Sequence, residues 1–166
     1  DDNTLVIFTS DNGALHPGPD GAGSNLPLRA AKASTWEGGQ RVPCLMRWPG
    51  VIKPGTVIND IGAHEDMCAT ILAAAGEPDV AEKLKKGHKA MGRDYKVHLD
   101  SYNLMPALKG DAPWPRKEFL YWTDDGSVAA LRYDNWKLSF LKQPAHGFHV
   151  WVQPFEELRA PLLTNL

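Results

Sequence analysis

The sequence predicts an α/β fold followed by a small antiparallel β-sheet. Three observations indicate this arrangement. An apolar run near the start of the chain breaks at a cluster of turn residues, as a buried strand does when it leaves a sheet. Further along, an amphipathic segment with acids in its first turn is typical of a helix. From residue 117 onwards, strand-like segments alternate with turn residues.

The composition is that of an ordinary globular protein. The 166 residues carry a formal net charge of -2 and are 43% hydrophobic, which is enough to bury a core. No apolar stretch reaches the roughly 18 residues of a membrane helix, and no basic block indicates a nucleic-acid surface, so we expect neither partner. Cys44 and Cys68 lie in apolar settings and are predicted to be buried thiols.

The first half of the chain predicts two strands joined by a long loop. Residues 4–9 form the first predicted strand, and residues 12–27 form a loop rich in glycine and proline. Ordered loops of this length in compact domains are often functional. Residues 42–48, bounded by a glycine pair and by a Pro-Gly pair, are the second predicted strand.

The segment that begins at His64 predicts a helix. Glu65 and Asp66 lie in its first turn, and Gly76 is placed to end it. Neighbouring helix positions face different directions, so these acids are expected to cap the helix and not to share a metal ion with His64. Residues 81–92 are basic and interrupted by glycine; they predict a short helix and a solvated loop, to which we assign no function.

The end of the chain predicts a separate antiparallel subdomain. Two prolines around Trp114 mark a subdomain boundary. We therefore expect an α/β part that comprises residues 1–112 and a small antiparallel subdomain that comprises residues 113–166. The predicted strands of the second part cover residues 118–124, residues 128–141 with a turn at Asp134, and residues 146–155.

The break after the first strand, Asp11-Asn12-Gly13, has two interpretations. Asp-Asn-Gly is a common turn sequence, because Asp and Asn tolerate the left-handed conformation and Gly adopts it freely. In open α/β sheets, however, ligands gather beyond the carboxyl ends of strands, where Asp11 and Asn12 would project. Asp11 and Asn12 indicate a binding or catalytic site only if other functional residues of the chain lie beside them.

Six segments, in order and with matched spacing, resemble the C-terminal half of the sulfatases, and in particular the arylsulfatases of the alkaline-phosphatase-like superfamily. They are TSDNG, LRAAKASTWEGGQRVP, RWPG, HEDMCATILAAAGEPD, DSYNLMPALKG and RKEFLYWTDDGSVAALRYDNWKLSF. The motif K-x-x-T-W-E-G-G-x-R-V-P is far more discriminating than a three-residue turn. The resemblance implies a partial alkaline-phosphatase-like (sulfatase) core followed by the small antiparallel C-terminal subdomain.

The resemblance also implies roles for particular residues. Asp11 and Asn12 match the pair that gives side-chain oxygens to calcium, a hard cation that prefers carboxylate and amide oxygens. Lys32 matches the lysine that contacts the substrate sulfate and stabilises charge on the departing oxygen. His16 lies in the loop where substrates are selected; it could contact a substrate, and an exposed histidine without a role is the alternative.

The residues around Lys32 are interpreted as structural. Trp36 and the two glycines after Glu37 are expected to shape the site, because glycine permits close backbone approach. Glu37 is expected to pair with Arg29 or Arg41 and so to hold the Lys32 loop.

The resemblance further implies a nucleophile that these residues do not contain. Sulfatases use a Cys or Ser in a Cys/Ser-x-Pro-x-Arg segment, oxidised to formylglycine, and no such segment occurs here. We therefore expect the sequence to begin and end within a longer protein whose upstream half supplies formylglycine. We also expect that these residues alone do not hydrolyse sulfate esters, because the attacking group lies outside them.

Three functions remain open at this point. The first is calcium-dependent hydrolysis of a sulfate monoester, carried by a small molecule or by a sulfated glycan. The second is hydrolysis of a phosphate or phosphonate ester on the same scaffold. The third is a non-catalytic module that docks another chain through its tryptophan-rich C-terminal sheet. The resemblance favours a periplasmic or secreted protein; it does not predict the oligomeric state.

Overall fold

The computed structural model describes residues 1–15, 23–145 and 147–166. Its elements, in chain order, are β1 (Val6–Thr9), α1 (Glu37–Gln40), β2 (Cys44–Arg47), α2 (Asp66–Ala74), α3 (Val80–Lys86), β3 (His88–Ala90), β4 (Arg93–Tyr95), α4 (Met105–Lys109), β5 (Glu118–Trp122), β6 (Val128–Tyr133), β7 (Trp136–Lys142), a 3₁₀ turn (Gly147–Trp151) and β8 (Glu156–Asn165). The mixed α/β composition with a C-terminal antiparallel sheet confirms the predicted fold class. None of the described helices has the length and apolarity needed to cross a bilayer.

The described residues form two compact units. Unit 1 comprises residues 1–6 and 46–117, and unit 2 comprises residues 7–45 and 118–166. Both loops that carry the predicted site residues belong to unit 2. The domain boundary between residues 112 and 113 stays a prediction.

Unit 1 is built around helix α4. The residues Leu104, Met105 and Leu108 are buried there, and apolar side chains from α2 and from the segment after β2 pack against them. Burial of this apolar surface is the main force that stabilises the unit.

Helix α2 is fixed by a buried ion pair at its start. Asp66 is fully buried, and Arg116 donates to both of its carboxylate oxygens at 2.7 Å. Asp66 also accepts hydrogen bonds from the Ala63 N–H at 3.1 Å and from the Tyr102 N–H at 2.8 Å, both of which lie outside the helix. Glu65 lies 2.8 Å from the same guanidinium. The expectation that these acids cap the helix is wrong, because no side-chain cap hydrogen bond occurs at its start. The acids instead neutralise Arg116, since a buried charge needs a partner.

Unit 2 contains a four-stranded antiparallel sheet in the order β5-β6-β7-β8. One row of leucines crosses all four strands at matched register: Leu120, Leu131, Leu138 and Leu163. Tyr121, Ala129 and Ala130 form its buried core.

One sequence-based expectation for the C-terminal part is wrong, the position of the last strand. The predicted strand at residues 146–155 is replaced by a 3₁₀ turn over Gly147–Trp151, and the fourth strand is Glu156–Asn165. The Gln143 side chain donates to the carbonyls of Val150 and Gln153, each at 3.2 Å, which holds the chain in a turn there. The segment after this turn, Glu156–Asn165, pairs with β7 and therefore forms the strand.

The first half of the chain differs from expectation in three places. Strands β1 and β2 pair but are shorter than predicted, and residues 81–92 form helix α3 followed by part of a β3–β4 hairpin. Cys44 and Cys68 are exposed free thiols, so the prediction of buried thiols is wrong. Within the described residues β2 pairs with β1 alone, and Cys44, Leu45 and Arg47 are exposed.

Candidate active site

The loop that follows β1 is pinned against the residues that follow Lys32. The Gly13 N–H donates to the Gly39 carbonyl at 3.0 Å, and the Lys32 N–H donates to the Ala14 carbonyl at 3.0 Å. A Cβ atom at position 13 would lie 1.8 Å from the Gly38 carbonyl oxygen. Only glycine fits this approach, which brings the backbone after Asp11-Asn12 beside the backbone of Lys32.

Asn25 ties the same two loops together with its side chain. Its Oδ1 accepts from the Ala14 N–H at 2.7 Å, and its Nδ2 donates to the carbonyls of Ala14 at 2.9 Å and of Ala30 at 3.4 Å. Sequence reasoning missed this residue, because an Asn in a Gly- and Pro-rich loop is also an ordinary loop residue. Asn25 satisfies backbone groups of both loops and so fixes their relative position.

The predicted metal ligands sit just beyond the carboxyl end of β1. Asp11 is exposed and Asn12 is half-buried, while the Ser10 hydroxyl donates to the Asn12 carbonyl at 2.9 Å. Within the described parts of the chain, no ion pair engages the Asp11 carboxylate. Its oxygens are therefore accessible to a ligand from solvent.

Lys32 projects from a backbone with unusual torsion angles. Ala30, two residues before it, and Ala33, directly after it, have positive φ values of 63° and 67°. Alanine in this region costs of order 1–2 kcal/mol per residue, and such positions persist where surrounding contacts enforce them. The Lys32 side chain is exposed. Its sulfate-contacting role stays a prediction, as do the roles of Asp11 and Asn12, and His16 lies outside the described residues.

The chemistry of these donors fits part of a calcium shell. Asp11 offers a carboxylate and Asn12 an amide oxygen, both of the hard type that Ca²⁺ prefers. Across residues 1–15, 23–145 and 147–166, no group of three or more His, Cys, Asp or Glu side chains is arranged to hold a metal ion. Two ligands fall short of the roughly six to eight oxygens in a typical calcium site, so these residues can supply only part of the shell.

A buried charge cluster supports the Lys32 loop from the C-terminal sheet. Glu37 Oε1 accepts hydrogen bonds from Lys137 Nζ at 2.9 Å and from the Tyr121 hydroxyl at 2.7 Å. Lys137 Nζ also donates to the Thr35 carbonyl at 2.7 Å and lies 3.6 Å from the centre of the Tyr121 ring. Strands β5 and β7 thus hold the segment that continues directly from Lys32.

The partners expected for Glu37 are only partly correct. Arg41 does pair with it, at a long 3.9 Å, but Arg29 stacks on Trp36 with its guanidinium 3.7 Å from the ring centre. The main partner, Lys137, lies a hundred residues away and was missed. The only sign of this pair in the sequence is a lysine within an apolar predicted strand. Alternation alone does not decide whether that lysine faces the core or the solvent.

The protonation states of the cluster follow from its burial. Burial and the neighbouring Glu37 carboxylate raise the pKa of the Tyr121 phenol far above its usual value, so the hydroxyl stays protonated and donates to Glu37. Burial lowers the pKa of the Lys137 ammonium, and the Glu37 carboxylate opposes that shift. The remaining oxygen, Glu37 Oε2, is buried without a hydrogen bond and lies 3.6 Å from Arg132 Nη1.

Solved structures first define the class of protein to which this fold belongs. The crystal structure of the PsFucS1 sulfatase from Pseudoalteromonas sp. superposes with a TM-score of 0.69 at 28% identity, and the match covers 99% of this chain and 29% of that one. The fold is thus that of part of a sulfatase.

Sequence comparison identifies the same family. The family model "Sulfatase" matches residues 1–77, a range that includes Asp11, Asn12 and Lys32. Steryl-sulfatase of Mus musculus is 36% identical over 80% of this chain, and N-acetylgalactosamine-6-sulfatase of Homo sapiens is 34% identical over 95% of it. The chain belongs to the sulfatase family. It spans 20% and 26% of the length of those two curated relatives.

Proposed function

We propose that this chain supplies one part of the active site of an enzyme that hydrolyses sulfate monoesters. The observation that carries the proposal is the double attachment of the Asp11-Asn12 loop to the Lys32 loop, through Gly13–Gly39 and Lys32–Ala14 hydrogen bonds. This attachment supports a shared role for a carboxylate, an amide and an ammonium group. Membership in the sulfatase family indicates which role that is.

In this proposal Asp11 and Asn12 hold part of the shell of a calcium ion. Bound calcium would supply Lewis-acid polarisation of the sulfate oxygens. Lys32 would pair with a sulfate oxygen and stabilise the negative charge that grows as the S–O bond breaks, an effect that is strongest where water is excluded. The amide ligand keeps the site less negative than a second carboxylate would, which favours binding of an anionic substrate. The nucleophile, expected to be formylglycine, lies outside these residues.

We further propose a sulfated sugar as the substrate class. The match to N-acetylgalactosamine-6-sulfatase covers 95% of the chain, against 80% for steryl-sulfatase. The solved structure of Ps i-CgsB in complex with k-i-k-neocarrahexaose, which matches this chain at 30% identity with a TM-score of 0.63, also supports a sulfated sugar. Both substrates present the same sulfate monoester to Asp11, Asn12 and Lys32, so the proposed roles of these residues do not depend on the choice.

Replacement of Lys32 by alanine tests the proposed activity. The protein expressed from its complete natural coding sequence is assayed with 4-nitrophenyl sulfate and calcium. We expect Lys32→Ala to lower kcat by about 10²- to 10³-fold, the usual effect of removing one donor to a developing anion.

Lys53→Ala removes an exposed lysine from unit 1 and serves as the matched control, with kcat unchanged. Circular dichroism checks that both variants fold. A Lys32→Ala variant that folds and keeps kcat within about threefold of the wild type would refute the role of Lys32.

A further inference from the structure

The most basic stretch of the chain lies outside the candidate active site. Residues 83–98 contain six lysine or arginine residues and one aspartate, a net charge of +5. Because the whole chain carries -2, the other 150 residues together carry -7. One short segment thus concentrates positive charge in a chain that is otherwise acidic.

This segment has an ordered backbone. Helix α3 leads through Gly87 into the antiparallel hairpin of β3 and β4, in which Ala90 is paired with Arg93. The Val97 N–H donates to the Leu84 carbonyl at 3.1 Å, which closes the hairpin back onto the helix. We call residues 83–98 the basic hairpin. Its charges are therefore presented on a folded framework of unit 1, which limits the entropy lost on binding a ligand.

Most of these charges are not neutralised by the chain itself. Lys83 pairs with Glu77. The remaining five are exposed and form no ion pair with any described residue: Lys85, Lys86, Lys89, Arg93 and Lys96. Lys85 and Lys86 lie in the last turn of α3, where positive charge complements the helix dipole. In the ladder Lys89 is paired with Asp94 and Arg93 with Ala90, so Lys89 and Arg93 lie on opposite faces of the hairpin. The segment keeps a large excess of positive charge. Such a cluster is complementary to a polyanion.

We propose that the basic hairpin binds a sulfated polysaccharide, as a surface additional to the active site. The proposal rests on the proposed function, because it takes sulfate esters as the ligand chemistry. A sulfated polymer repeats single negative charges along a flexible chain, and several exposed ammonium groups can engage it at once while counterions are released. A single-stranded nucleic acid is disfavoured, because Tyr95 is the only Phe, Tyr or Trp in the segment and proteins that bind single strands stack successive bases on aromatic side chains.

Binding is measured by fluorescence anisotropy with labelled chondroitin 6-sulfate on the 166-residue chain. We expect binding at about 50 mM NaCl that weakens as salt rises, with roughly one counterion released per contact. The triple variant Lys85→Gln/Lys86→Gln/Lys89→Gln should bind at least about tenfold more weakly. The matched control, Lys53→Gln/Lys109→Gln/Lys142→Gln, removes three exposed lysines elsewhere and should change affinity by less than about threefold.

Equal losses of affinity in the two triple variants would overturn the proposal, since binding would then depend on the net charge of the chain and not on the basic hairpin. Binding of unsulfated chondroitin or of oligodeoxythymidylate as tight as that of chondroitin 6-sulfate would overturn it as well. Lys32→Ala separates this surface from the active site: we expect polymer binding to persist in that variant, while kcat of the natural full-length protein falls by about 10²- to 10³-fold. Loss of polymer binding on Lys32→Ala alone would overturn the additional surface and leave the proposed activity intact.

Discussion

Replacement of Lys137 by methionine is expected to lower the free energy of unfolding of unit 2 by about 3–5 kcal/mol, because it leaves the buried Glu37 carboxylate without its main cation. Lys137 also holds the Thr35 carbonyl, so the segment after Lys32 loses two attachments at once. Urea unfolding followed by tryptophan fluorescence measures the change. Lys142→Met, at an exposed position of the same strand, is the matched control and should cost less than about 0.5 kcal/mol.

A second variant distinguishes an unpaired charge from lost packing. Lys137→Met combined with Glu37→Leu removes both charges, and a buried pair replaced by apolar residues is often close to neutral. The double variant should therefore be more stable than Lys137→Met alone. If the single variant costs less than about 1 kcal/mol, or if the double variant costs the sum of the two single variants, the charge cluster does not support the loop as described.

Replacement of Gly13 by alanine is expected to cost about 2–4 kcal/mol, since the new Cβ would lie 1.8 Å from a backbone oxygen that cannot rotate away. The loop after β1 must then move, which breaks the hydrogen bond from Gly13 to Gly39 and disturbs the one from Lys32 to Ala14. Thermal unfolding by circular dichroism reports the stability.

Gly126→Ala serves as the control for this substitution. Gly126 has a φ of 80°, and a Cβ atom added there would have no other atom within 4 Å, so alanine costs only the left-handed backbone penalty of about 1 kcal/mol. At Gly13 the opposite holds: an added Cβ atom would clash with a backbone oxygen, but the backbone does not have a positive φ. Equal losses in the two variants would show that the close approach at Gly13 does not hold the loops together.

The sequence was informative where a residue's role is local. The apolar run before Asp11 predicted a strand and its end, and the segment that begins at His64 predicted a helix, which α2 confirms. The sulfatase-like motif around Lys32 placed the chain in its family, which the comparisons confirm. These features depend on the spacing of residues that are close together in the sequence, so the sequence alone reveals them.

Features that depend on distant pairing were not accessible. Glu37 pairs with Lys137, which lies a hundred residues away in the sequence. The Asn25 side chain bonds to backbone atoms of two loops, and the sequence does not show that these loops lie side by side. The fourth strand was misplaced for the same reason, because its ladder with β7 decides its position. Side-chain alternation predicts which residues of a strand share a face, but it does not predict which residue each one contacts. Lys137 could therefore not be assigned to a buried ion pair from the sequence.

The central claim is that Asp11, Asn12 and Lys32 serve one site for a divalent cation and its bound oxyanion. The most direct measurement is an amide NMR titration of the 15N-labelled chain, first with calcium chloride and then with sodium sulfate. We expect weak, millimolar calcium binding that shifts the Asn12 and Gly13 resonances, because two ligands complete only part of the shell. Sulfate should then shift the Lys32 resonance only when calcium is present, and Asp11→Ala should abolish both effects. Identical shifts in wild type and Asp11→Ala, or a sulfate response at Lys32 that is independent of calcium, would contradict the claim.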